Sequence, residues 1–177
     1  MKNVLFLLFF NLVSMELLAV EPLLVRTSAR PETTSSIPHK QIGIKVPKHL
    51  YEELVRRTYL LAGIEERSSF TPYAKAKAIW LNKSVTAKRP ELFLSGREFS
   101  HFHPDGSLHA HLPPLRAKEA VKAGWAVHHP LAFQRRGWEG LILIYTPQTK
   151  DEMEVVFQLI IESYNFITGK KLKTNVQ

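Results

Sequence analysis

The 177-residue sequence contains no cysteine. That excludes disulfides, thiolate nucleophiles and sulfur-ligated metals. No Gly-x-Ser-x-Gly elbow, phosphate loop or dinucleotide fingerprint occurs, which removes those hydrolase and nucleotide-binding classes. Acidic residues are the minority, 16 against 24 Lys and Arg, for a net charge of +8. Such a balance favours acidic partners, but the basic residues are scattered through Lys83–Arg89, Arg135-Arg136 and Lys170–Lys173. No nucleic-acid motif accompanies them and three tryptophans make no base-stacking platform, so no nucleic-acid partner is expected. A hydrophobic content of 45% with 23% charged residues is ordinary for a globular chain, and the length suits one domain rather than two.

Met1–Ala19 reads as a secretory signal, with Lys2 ahead of the apolar run Val4–Val13 and Ala19 before the cut. The run is short for a membrane span. The expectation is therefore a secreted or periplasmic protein with no stable span after signal cleavage, the alternative being a membrane anchor left uncleaved. Residues 20–45 are rich in Ser, Thr and Pro without helical periodicity and read as a linker or mobile N-terminal arm. The domain proper is expected over residues 46–169, and 170–177 as a frayed basic tail.

Within that domain Val46–Ala62 reads as a helix, with Pro47 in its first turn and Gly63 beyond its end. Ala74–Leu81 alternates Ala and Lys as an edge strand does. Glu91–Leu94 is expected to begin the sheet, and Pro113–Gly124 is a short helix. His128-His129-Pro130 reads as a loop, and Glu139–Tyr145 as a strand buried on both faces. Thr149 and Glu152 form a capping box for a helix ending at Gly169, with Met153, Val156, Phe157, Ile160, Ile161 and Tyr164 on its apolar face. This order predicts an α+β class: a single two-layer domain, a mainly antiparallel sheet with helices packed on one face.

Six of the eight histidines fall between Gly96 and Pro130. Arg97–His103 and Ser107–Leu112 alternate as two strands, joined at Pro104-Asp105-Gly106. A three-residue loop, a type I turn closed by a glycine with φ > 0, pairs His103 with Ser107, His101 with His109 and Phe99 with His111. His101, His103, His109 and His111 then share one face, with Phe102, Leu108, Ala110 and Leu112 on the other. A two-residue loop would send His109 and His111 to the face opposite His101 and His103.

The run Arg97-Glu98-Phe99-Ser100-His101-Phe102-His103, the step Ser107-Leu108-His109, Gly124-Trp125, His129-Pro130-Leu131-Ala132 and Tyr145-Thr146-Pro147 come in an order that resembles the luciferase-domain family, which includes the fungal luciferases and small bacterial and fungal relatives. The resemblance covers roughly Ala74–Gly169. It implies that His101, His103, His109 and His129 are the catalytic positions, with Glu98 and Trp125 close by, and it discounts His111 and His128. It also implies an oxygen-dependent oxidation of a small hydroxylated molecule, without carrying light emission over.

Three functional readings stay open beside a purely structural one. His101, His103 and His109 can ligate a divalent metal (Zn, Fe, Mn or Cu), with redox or hydrolytic chemistry following the element. A metal-free site can instead use one histidine as a general base on an enol or phenol, with no cofactor. Or the domain is no enzyme and binds a small ligand between Trp125, Trp138 and the histidines.

Overall fold

A computed structural model describes residues 22–71 and 75–173. In chain order it places β1 (Glu32–Thr33), β2 (Gln41–Ile42), α1 (Lys48–Tyr59), β3 (Ile64–Ser68), β4 (Lys77–Leu81), β5 (Glu98–Phe102), β6 (Leu108–His111), α2 (Pro114–Lys122), β7 (Ala126–His128), β8 (Leu141–Ile144) and α3 (Lys150–Thr168). Strands β3-β4-β5-β6-β8-β7 make one sheet, antiparallel at every neighbouring pair, and β1-β2 form a separate small hairpin. The chain is an α+β domain, as its pattern predicts.

The helix layer is centred on α3. The Thr149 side chain accepts from the Glu152 N–H at its start, and Gly169 ends it at φ 74°. Arg57 of α1 forks onto Glu154, and Arg116 of α2 forks onto Glu162, so α3 is tied on both flanks. From the sheet, Phe102 packs against Tyr51 and Tyr59 of α1, and Phe99 against Tyr164 of α3. The opposite face of the sheet carries the histidines.

Phe99 is where strand alternation breaks. Ile79 pairs with Ser100 but Trp80 pairs with Glu98, so Phe99 is an extra residue in β5 with no cross-strand partner. Such a bulge shifts the side-chain alternation by one. It turns Phe99 to the helices and Glu98 to the histidine face, whereas the unbroken hairpin predicts Phe99 beside the histidines.

Several expectations are corrected. β4 is not an edge strand: it lies between β3 and β5, with Ala78, Ile79 and Leu81 fully buried. Glu91–Leu94 does not open the sheet, because Pro90–Leu92 forms a 3-10 turn. His128 belongs to β7, paired with Ile142, rather than to a loop. The stretch read as a mobile arm is laid against the domain through Leu23 and Arg26. The Leu23 N–H donates to the Glu119 carboxylate at 2.7 Å. The Arg26 N–H donates to the Ala123 carbonyl, and its buried guanidinium meets Glu152 at 3.2 Å and the Thr146 carbonyl at 2.9 Å. Composition misleads here because that order rests on long-range polar contacts, which leave no periodicity. The tail is likewise held as far as Leu172, which exchanges hydrogen bonds with the Asn165 side chain. The Met1–Ala19 signal lies outside the described residues, as do Ala74 and residues 174–177.

Candidate functional site

The hairpin that carries the histidines has the three-residue loop. His101 pairs with His109, the His103 N–H donates to the Ser107 carbonyl at 2.8 Å, and Gly106 takes φ 80°. Gly106 is needed twice over, since a Cβ there would also lie 2.6 Å from Thr146 Oγ1. Asp105 accepts from the Ser107 N–H at 2.9 Å, which fixes the tip. Two elements then bring in histidines from outside. β7 continues into His129, whose N–H donates to the Leu141 carbonyl at 3.1 Å. In β2, the Gln41 side chain donates to the Asp105 carbonyl and to Thr146 Oγ1, which clamps the hairpin two residues after His39.

Five imidazoles therefore meet at one place: His39, His101, His103, His109 and His129, all buried. They form a continuous network. His101 Nδ1 lies 2.8 Å from Glu98 Oε1, His101 Nε2 lies 3.1 Å from His109 Nδ1, and His109 Nε2 lies 3.3 Å from His39 Nδ1. The His103 and His129 rings each stand edge-on to His109 with centroids 4.6 Å apart. They line a cavity of about 170 Å³, whose remaining walls include Leu94, Leu131, Trp138 and Leu141.

Burial is the first cause of the electrostatics. It pushes the pKa of His39 down to about 4. Burial, then the neighbouring imidazoles His39 and His101, does the same for His129, also to about 4. His103 falls to about 2 by burial, then by His101, His39 and His129. His109 falls well below its usual value by burial and the four neighbouring rings. These four rings are neutral at pH 7, so each keeps one unprotonated nitrogen whose lone pair can take a proton, a hydrogen bond or a metal.

The structure brings the expected residues His101, His103, His109 and His129 together at this cavity, with Glu98 hydrogen-bonded behind His101. Trp138 lines the cavity, but Trp125 does not. It is buried elsewhere, donating its Nε1–H to the Leu24 carbonyl at 2.7 Å under the Arg26 guanidinium. Its place after the Gly124 stop points it into the joint between α2 and the N-terminal segment. His111 lies on the histidine face yet packs edge-on against Trp138 and does not line the cavity. His39 is the residue that sequence reasoning missed. It stands alone in a polar stretch, with no spacing relation to the other histidines, and the β1–β2 pairing and the Gln41 clamp bring it in. Ser107 was legible as the cross-strand partner of His103 and Asp105 as a turn residue, but not the side-chain hydrogen bonds that link the three.

Two overlapping groups can each converge on one ion: His101, His103 and His109, or His39, His109 and His129, with the ligand atoms in each group within 4.8 Å of one another.

Residues 96–163, the hairpin through most of α3, match the model of the luciferase domain. That stretch is similar to the luciferase domain. The chain is 30% identical over 165 residues to the luciferase of Armillaria gallica, covering 81% of this chain and 60% of that protein. The luciferase of Neonothopanus nambi is 31% identical over 107 residues, 53% of this chain and 39% of that one. The chain thus spans under two thirds of the length of these luciferases. No solved structure matches it.

Proposed function

We propose that this luciferase-domain chain is an enzyme that oxidises a small hydroxylated molecule with dioxygen in the histidine-lined cavity. One observation carries the reading: five buried imidazoles, four of them held neutral, face a single cavity whose other walls are apolar except for Thr71. Its volume of about 170 Å³ suits a single-ring molecule, on the scale of the roughly 150 Å³ cavity that holds benzene. The Trp138 indole and the Leu94 and Leu131 side chains offer flat apolar walls to such a ring.

An imidazole lone pair at the cavity accepts a hydrogen bond from an enol or phenol hydroxyl and takes its proton as electron density moves to the ring carbon. That carbon forms a bond to dioxygen. The substrate is oxidised by two electrons, dioxygen is reduced to the peroxide level, and the proton returns to the peroxide, so that R–H and O₂ give R–OOH. The relatives matched are luciferases by name, which agrees with oxygen chemistry; light emission forms no part of the proposal. Export through Met1–Ala19 belongs to it, and N-terminal sequencing of the secreted protein tests it. Among the described residues, no helix is long and apolar enough to cross a membrane.

The test is oxygen uptake with a panel of single-ring enols and phenols. Uptake with one of them, abolished in folded His103→Ala, is expected. A panel member that binds in the cavity without consuming oxygen would overturn the oxidase reading and leave a ligand-binding module.

A further inference from the structure

The hydrogen bonds around the five imidazoles determine which nitrogen of each ring carries the proton. Asp105 carboxylate oxygens only accept, so the short contact from Ser107 Oγ to Asp105 Oδ1 uses the Ser107 hydroxyl proton. Ser107 Oγ, 2.9 Å from His103 Nδ1, must then accept from it. His103 therefore carries its proton on Nδ1 and keeps the lone pair on Nε2. Glu98 imposes the same orientation on His101: its carboxylate accepts from Nδ1, so Nε2 is the nitrogen turned to the other rings and available to offer a lone pair. His129 is opposite. Its Nδ1 accepts from the Leu131 N–H at 3.1 Å, so its proton sits on Nε2.

We infer that His101 Nε2, His103 Nε2 and His109 Nδ1 bind a divalent first-row transition ion, with His129 beside it as a hydrogen-bond donor and not a ligand. Two nitrogens each about 2.0–2.1 Å from one ion, at angles between square and tetrahedral, are about 2.8–3.4 Å apart. The 3.1 Å between His101 Nε2 and His109 Nδ1 falls in that range. These three residues are also one of the two groups whose ligand atoms converge.

A second, independent observation is the charge behind the cluster. Glu98 is 0% exposed; among the described residues it receives the Ser69 hydroxyl at 2.7 Å and the His101 ring, and its Oε2 has no hydrogen-bond partner. No Lys or Arg pairs with it among the described residues. A buried carboxylate of this kind needs a positive charge nearby. A dication on the far side of His101 supplies one, and a carboxylate behind a ligating imidazole is the arrangement that orients the ring and raises its basicity. Neutral nitrogen ligands without sulfur suit Fe²⁺, Co²⁺, Cu²⁺ or Zn²⁺. Three protein ligands leave a position open toward the cavity, where a substrate oxygen reaches the ion and the His129 Nε2–H together.

The metal site shares the cavity of the proposed oxidation but does not depend on what that cavity converts. Its test uses no substrate, so failure of the oxidation reading leaves it standing. Protein made without an affinity tag is stripped with chelator, shown folded by circular dichroism, and titrated with Co²⁺, then with competing Zn²⁺. The expected result is one equivalent per chain, with d–d absorption of a four- or five-coordinate nitrogen site that Zn²⁺ abolishes. His101→Ala, His103→Ala and His109→Ala each lose binding by more than about 100-fold, and Glu98→Gln by about 10–100-fold. His129→Gln and the exposed His49→Ala stay within about threefold of wild type. Folded wild type that takes up neither ion overturns the inference. So does a His129→Gln loss as large as that of Glu98→Gln, which would move the ion to the His39, His109 and His129 group. Should the alanine variants unfold, Glu98→Gln against His129→Gln decides.

Discussion

Replacing Arg26 with Met tests whether the N-terminal segment is part of the domain. Arg26 and Glu152 are both almost completely buried, and their ion pair joins a residue in a polar stretch to the first turn of α3. Removing one partner of such a pair costs about 3–5 kcal/mol, because the other charge stays buried. Glu152 keeps the N–H groups of Gln148 at 2.9 Å and Ser28 at 3.0 Å, together with the helix N-terminus, and Met preserves most of the packing against Trp125 and Tyr145. The low end therefore applies, about 3 kcal/mol, which for a domain of this size lowers Tm by roughly 6–12 °C.

The Arg26→Met loss also has a pH signature. Burial pushes the Glu152 pKa up, but the hydrogen bonds from Ser28 and Gln148 and the Arg26 charge outweigh it and hold the carboxyl below its usual range. A carboxyl with a depressed folded pKa adds stability above its unfolded pKa and loses it as pH falls through the folded value. Arg26→Met should therefore move acid unfolding to higher pH. Urea melts of Arg26→Met, Glu152→Gln and the double variant check the account: removing both charges should restore most of the loss. A change below about 1 kcal/mol in Arg26→Met, with no coupling in the cycle, would refute it.

Gly140→Ala should lower stability by about 3 kcal/mol, because its Cβ would lie 1.9 Å from the Leu112 carbonyl oxygen; an unchanged urea midpoint would show that this close approach is absent. Trp125→Phe should cost about 1 kcal/mol through its lost bond to Leu24, and leave Co²⁺ affinity and oxygen uptake intact, whereas Trp138→Ala should raise KM for any substrate found. Identical effects of the two tryptophan variants on uptake would undo the placement of the cavity. Thr149→Ala should destabilise by about 1 kcal/mol through loss of its cap, read as an earlier melt with activity retained; no shift would mean the cap contributes nothing.

What the sequence made legible was local. The Thr149 cap, the apolar stripe of α3 and the Pro104-Asp105-Gly106 loop each depend on a few adjacent residues, and the loop alone fixed the pairing of His101 with His109. What stayed hidden was set by distance in the chain. Phe99 reads as a histidine-face residue until Trp80 pairs with Glu98 and the bulge appears. His39 reads as part of a linker until Gln41 reaches Asp105 and Thr146, 64 and 105 residues away. Trp125 was grouped with the site by its position after Gly124, but its indole N–H finds Leu24 instead. A strand order that runs β6-β8-β7 likewise brings His129 beside His109 through the Leu141–Ile144 strand between them, and no spacing rule encodes that.

Both the oxidation reading and the metal inference depend on which ring nitrogens carry protons and which keep lone pairs. Nitrogen-15 correlation spectra of the imidazoles, recorded on metal-free protein at neutral pH, read that directly. The predicted result is His101 and His103 protonated on Nδ1 and His129 protonated on Nε2. His129 protonated on Nδ1, or either of the other two on Nε2, would contradict it.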